Sequence, residues 1–156
     1  MRHLELTHKQ VLRIFPWLKG RTLIKWSQER LVQSAAQGRG SVRRYNFVNL
    51  LEIAFVSELF DCGLGLYDAL SIMGEFRKRI NRNEFDTVVV IPKHRDLTLP
   101  HGAGRRDWSE PHSLLINDFN QKVFKSKEKK MTVSVIAVNL RTLKDFVEAQ
   151  LKGAGV

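Results

Sequence analysis

From Thr7 to about Met73 the chain reads as a short helix, a turn, a basic helix, a Gly-rich basic loop and two more apolar helices. Isolated helices below about 12–15 residues are marginal in water, so these pieces must fold by packing on one another. Thr7-His8-Lys9-Gln10 has the form of a capping box, with Thr7 as N-cap and Gln10 at the third helical position. Val11, Leu12, Ile14 and Phe15 supply that helix with an apolar face. Pro16 ends it, because proline lacks an N–H and pushes the residue before it out of the helical region. Lys19 to Arg30 is predicted as a second helix, with Leu23, Trp26 and, as a weaker member, Ile24 on its buried side.

Leu31-Val32 leads into an extended stretch, and Gln37-Gly38-Arg39-Gly40-Ser41 reads as a turn. Val42 to Tyr45 is expected to return as a strand and close a small hairpin. Asn46 is a good N-cap for a third helix carrying Phe47, Leu50, Leu51, Ala54, Phe55 and Leu59. Gly63 stops that helix. A fourth is predicted from Leu66 to about Ile80, with Leu66, Ala69, Leu70, Met73 and Phe76 on one side. Arg77-Lys78-Arg79 and Arg82 form its basic end, which suits a helix C-terminus electrostatically.

Charge divides the chain unevenly. Net charge is +10 over 156 residues, and residues 1–45 hold 10 Lys/Arg against 2 Asp/Glu. A polyanion-binding surface is therefore expected in the first third. With one cysteine, Cys62, the chain has no internal disulfide and no cysteine-based zinc site. Cys62 itself reads as a small core residue at the helix corner. No apolar run approaches about 18 residues, and Arg2, His3 and Glu5 interrupt the start, so neither a membrane span nor a signal segment is expected. The expected location is cytoplasmic.

Composition changes near Asn81-Arg82-Asn83, the expected domain boundary. Thr87 to Ile91 is β-branched and closed by Pro92, which predicts a strand. Lys93 to Pro111 has Pro and Gly clusters and no periodicity, so a long loop is expected there. Ser113 to Ile116 and Gln121 to Phe124 read as one bent strand or two pieces, and Lys125 to Lys130 as a charged turn. Met131 to Val138 is a second strand. Asn139 then caps a helix with Leu140, Leu143, Phe146, Val147 and Leu151 on one face, and Gly153 ends it.

Two constellations carry chemistry. The second helix places Lys19, Arg21 and Lys25 outside and Trp26 inside, the layout of a helix that enters a DNA major groove. The following loop combines Gly38 and Gly40, which permit close approach to a phosphate backbone, with Arg39, Arg43 and Arg44. Elsewhere, His94, His101 and His112 with Asp96, Asp107 and Glu110 are competent metal ligands, but their spacing matches no ligand pattern and no metal is assigned. Gly102-Ala103-Gly104-Arg105-Arg106 does not sit between a predicted strand and helix, so a basic turn is preferred to a phosphate cradle. No nucleophile-plus-base pair and no nucleotide-binding motif is present, so neither an enzyme nor a cofactor is expected.

This order of elements resembles the winged helix-turn-helix of the MerR family of transcription regulators, over about residues 5–75. The residues that carry the resemblance are Arg21-Thr22-Leu23 and Trp26, Leu31-Val32, Arg44-Tyr45-Asn46, and the corner Gly63-Leu64-Gly65-Leu66. Two positions depart from the family pattern. Ile24 stands where the family usually has a DNA-contacting Arg, and Arg30 where it usually has Gly. The resemblance implies a winged helix-turn-helix over residues 1–80; with the strands and helix read above, residues 84–156 are expected to form a small antiparallel α+β module for dimerisation or ligand sensing, which makes the whole an α+β protein. It implies sequence-specific binding of double-stranded DNA through Lys19, Arg21, Thr22, Lys25, Arg39, Arg43, Arg44 and Tyr45. It also implies a homodimer on a near-palindromic site, with room for a small-molecule effector. The family's long dimer helix has no counterpart here, so dimerisation would fall to the 84–156 module. Two other readings stay open: an excisionase-like architectural DNA-binding protein, or a sensing or interaction module whose basic surface binds a non-DNA partner.

Overall fold

The computed structural model describes residues 4–34, 42–96, 112–115 and 130–155. Among these residues the protein is α+β, with five helices and two antiparallel sheets. Contacts divide the chain into two compact units, Met1–Asp61 with Thr142–Val156, and Cys62–Arg141. The expected boundary at 81–83 falls inside the second unit. The fourth helix counts with the strands, and most of the C-terminal helix counts with the N-terminal helices.

The first unit begins with strand β1 (Leu6–Thr7) and helix α1 (His8–Ile14). The capping box forms: the Gln10 N–H donates to Thr7 Oγ1 at 3.4 Å, and the Thr7 N–H donates to Gln10 Oε1 at 2.9 Å. Phe15, ahead of Pro16, leaves the helical region at φ −118° and ψ 77°. Helix α2 (Gly20–Gln28) follows after one turn. Strand β2 (Arg44–Tyr45) pairs antiparallel with β1, Leu6 opposite Tyr45 and Thr7 opposite Arg44. The expected hairpin is thus replaced by a longer-range pairing. Leu31 and Val32 are buried outside any strand, and the tip expected at Gln37–Ser41 lies outside the described residues.

Helix α3 (Phe47–Asp61) forms the centre of this unit. Every residue from Asn49 to Val56 is buried, as is Leu59. A helix apolar nearly all round is a core helix rather than a surface one. Asn46 caps it as expected: the Asn49 N–H donates to Asn46 Oδ1 at 3.0 Å, and the Asn46 N–H donates to Asn49 Oδ1 at 2.9 Å. The last element is helix α5, named in chain order (Leu140–Gly153). Its Leu143 and Val147 are buried, while Phe146 stays 38% exposed beside Trp17. Asn139 caps α5 by accepting the Arg141 N–H at 3.0 Å.

The second unit holds helix α4 (Leu66–Asn81) and a sheet of β3 (Thr87–Asp96), β4 (His112–Leu115) and β5 (Lys130–Asn139), in the order β4-β3-β5. The buried side of α4 is Ala69, Ile72, Met73, Phe76 and Ile80; Leu66 and Leu70 are only partly covered. Strand β3 does not stop at Pro92 but runs on to Asp96, opposite Lys130. The described pairing of β4 ends at Val90, so at Pro92 only β5 is a described neighbour. A missing N–H is tolerated where no strand needs it. The register slips between Lys93 and His94, immediately beyond the proline. The rest of the expected loop, residues 97–111, and the segments at 116–129 lie outside the described residues. Cys62 is exposed, which corrects its reading as a core residue. No described helix is long and apolar enough to cross a membrane.

Candidate nucleic-acid interface

Helix α2 separates its two sides cleanly. Leu23 is fully buried and Trp26 is 7% exposed, its ring stacked on Phe60 at 5.6 Å between centroids. Arg21, Ile24, Lys25 and Gln28 are all exposed. They follow the spacing i, i+3, i+4, i+7, so they form one face, opposite the buried one. No acidic residue stands among the four positions. Ile24 therefore belongs to the outward face and not, as expected, to the core side. Thr22 is half-buried at the flank.

The start of α2 is electropositive by construction. Lys19 is the N-cap, exposed, and no side chain caps the helix there. Unsatisfied N–H groups and the helix dipole both favour an anion at such an end. Gly20 lies close to α1: a Cβ built on it would sit 3.3 Å from His8 Nε2 and 3.4 Å from Leu12 Cδ1. Only glycine lets the two helices approach this closely without displacement.

His8 links this end of α2 to β2. Its Nδ1 lies 3.4 Å from the Tyr45 hydroxyl. Burial pushes its pKa below the ordinary value, and the positive charge of Arg43 pushes it the same way. His8 is thus close to the first residue of α2 and feels the charge of Arg43. Arg44 is exposed on β2. Tyr45 is fully buried, so its place among the expected DNA contacts is corrected. The reason is strand period: Arg44 and Tyr45 are consecutive and must face opposite ways, and Tyr45 with Leu6 takes the core side. Arg39 lies outside the described residues.

The end of α2 has a feature that composition hides. Arg30 adopts φ +61°. The Leu31 N–H donates to the Trp26 carbonyl at 2.9 Å and the Arg30 N–H to the Ser27 carbonyl at 3.3 Å. This is a Schellman ending, with Arg30 at the position that favours glycine. The helix-ending motif thus explains why a glycine is expected there, and it forms with arginine instead.

The chain leaving α2 is held by a group that sequence reasoning missed. Glu52 is fully buried and accepts the Gln33 N–H at 2.7 Å and the Asn49 amide at 3.2 Å. The Asn49 amide also donates to the Gln33 carbonyl. This clasp fixes residue 33, just before the basic loop, to the central helix. The only sequence signal for it is a glutamate within an otherwise apolar run.

The basic end of α4 is engaged within the protein. Arg79 donates to Glu75 at 2.8 Å and to Glu84 at 2.5 Å, and these partners raise its pKa further. Lys78 lies 3.9 Å from Glu75, and Arg82 4.0 Å from Glu84. Among the described residues no group of three or more His, Cys, Asp or Glu could hold a metal. Of the metal-competent residues considered above, His101, Asp107 and Glu110 lie outside the described residues. No family model and no curated protein sequence matches the chain.

Proposed function

We propose that the protein is a sequence-specific DNA-binding transcription regulator, with α1, the turn and α2 acting as the helix-turn-helix of a winged domain of the kind found in the MerR family. The observation that carries this reading is the outward face of α2. It presents Arg21 and Lys25 with Ile24 and Gln28, none of the four positions being acidic, and is braced from behind by Leu23 and Trp26. A helix with long polar side chains outside and an apolar back meets the needs of major-groove reading. Lys19, at the uncapped helix start, and Arg44, on β2, add cations suited to backbone phosphates. Arg43, half-buried beside His8, and Arg39 are further candidates, with Thr22 at the flank of the reading helix. The described ones among these residues belong to the first compact unit. A homodimer on a near-palindromic site completes the proposal, since protein and operator two-folds match.

Selection of bound duplexes from a random-sequence pool by the purified full chain tests it. We expect one enriched palindromic motif. A pool that stays random after repeated rounds contradicts the proposal.

A further inference from the structure

We propose that Ile24 reads the C5-methyl group of a thymine, making it a specificity-determining residue of the DNA site; this rests on the DNA-binding reading above. Ile24 is 37% exposed and sits on the outward face of α2 with Arg21, Lys25 and Gln28. A single exposed isoleucine is ordinary on a protein surface. Its position gives this one a role, because it lies within a face whose other members are cationic or amide side chains. In the major groove those neighbours can pair with acceptors and donors on base edges, guanine for arginine or lysine and adenine for glutamine. Isoleucine can make no such bond. The one apolar group that base edges present in that groove is the thymine methyl.

A β-branched side chain is also stiff in a helix, so its apolar surface is held in place before binding. RNA offers neither the methyl nor an accessible major groove. The same residue therefore assigns DNA, and a T·A pair within it, as the preferred ligand.

The test uses the full chain and the duplex enriched by selection. Thymines are replaced one at a time by deoxyuridine, which removes only the methyl. We expect one replacement per half-site to weaken binding about four-fold, the worth of one buried methyl-sized group. Ile24→Ala should bind the thymine duplex more weakly by a similar factor and ignore the replacement, while Ile24→Val keeps most of the discrimination. Thermal melting should show both variants folded, as their position is exposed. If every uracil duplex binds the parent protein as well as the thymine duplex, or if Ile24→Ala discriminates equally, the role of Ile24 is overturned while DNA binding stands. If selection yields no motif, the DNA reading falls and this inference with it.

Discussion

Arg30 holds a left-handed backbone conformation at φ +61°. For a residue with a Cβ this costs about 1–2 kcal/mol. Glycine removes the strain but adds freedom to the unfolded chain worth about 0.4–1 kcal/mol. Arg30→Gly is therefore expected to raise stability by about 0.5–1 kcal/mol, seen as a higher melting temperature. Asn83 at φ +58° plays the same part at the end of α4, in a residue type that tolerates it better. Glu52 works in the opposite direction. Glu52→Ala removes the acceptor of the Gln33 N–H and one of the two acceptors of the Asn49 amide; a buried donor left unpaired costs about 1–3 kcal/mol. Chemical denaturation should show the loss, and Glu52→Gln, which keeps an acceptor, should lose less.

His8 sets a pH dependence. Its pKa is lowered in the folded protein by burial and by Arg43, so folding disfavours the protonated ring. The stability this neutral ring contributes is fully present above the ordinary histidine value of about 6.5. It is lost as pH falls through the lower folded value, because the unfolded chain binds the proton first. Melting temperatures from pH 7 to pH 5 should fall less steeply for His8→Gln than for the parent. These three residues show where sequence stops informing. His8 and Glu52 owe their roles to partners far along the chain. The left-handed conformation at Arg30 is masked because arginine gives no turn signal of its own.

Helix α2 divides its residues between a buried face and the outward face proposed to bind DNA. Trp26→Ala removes a buried ring stacked on Phe60 and should cost about 3–5 kcal/mol. Arg21→Ala and Lys25→Ala, on the exposed face, should change stability by no more than about 0.5 kcal/mol while weakening DNA binding. Denaturant melts and binding titrations on the same three variants check both halves of the statement. Helices were the readable part of the fold because their signals are local. Thr7 with Gln10, Pro16, Asn46 and Gly63 each act within a turn or so of themselves. Strand pairing was less readable. Tyr45 takes Leu6 as its partner from the far side of two helices, and nothing nearby in sequence announces that choice. Strand β3 continues past Pro92, a residue that ordinarily ends one, because only β5 among the described strands lies beside it there. The outward face of α2 was half visible. Its cations stood out, while Ile24 read as a border residue, since an apolar side chain at that spacing looks like core.

Across the chain, charge and packing follow different boundaries. The cationic excess sits in residues 1–45, within the first compact unit, yet that unit also recruits the chain from Thr142 onward. Composition located the first, because charge is a sum over sequence. It did not locate the second, because the apolar face of α5 carries no label for its partner. Phe146 beside Trp17 is the contact that exposes this. If the basic first unit binds DNA through its phosphates, the strength of binding must depend on salt. Each phosphate neutralised adds about −0.9 to the slope of log K against log salt concentration. The most direct test is that slope for the full chain on its selected duplex, measured beside an Arg21→Gln, Lys25→Gln double variant. We expect a slope steeper than about −3 for the parent protein, from cations such as Lys19, Arg21, Lys25 and Arg44, and a visibly shallower one for the variant. A flat response, or the same slope for both proteins, would contradict DNA recognition through α2.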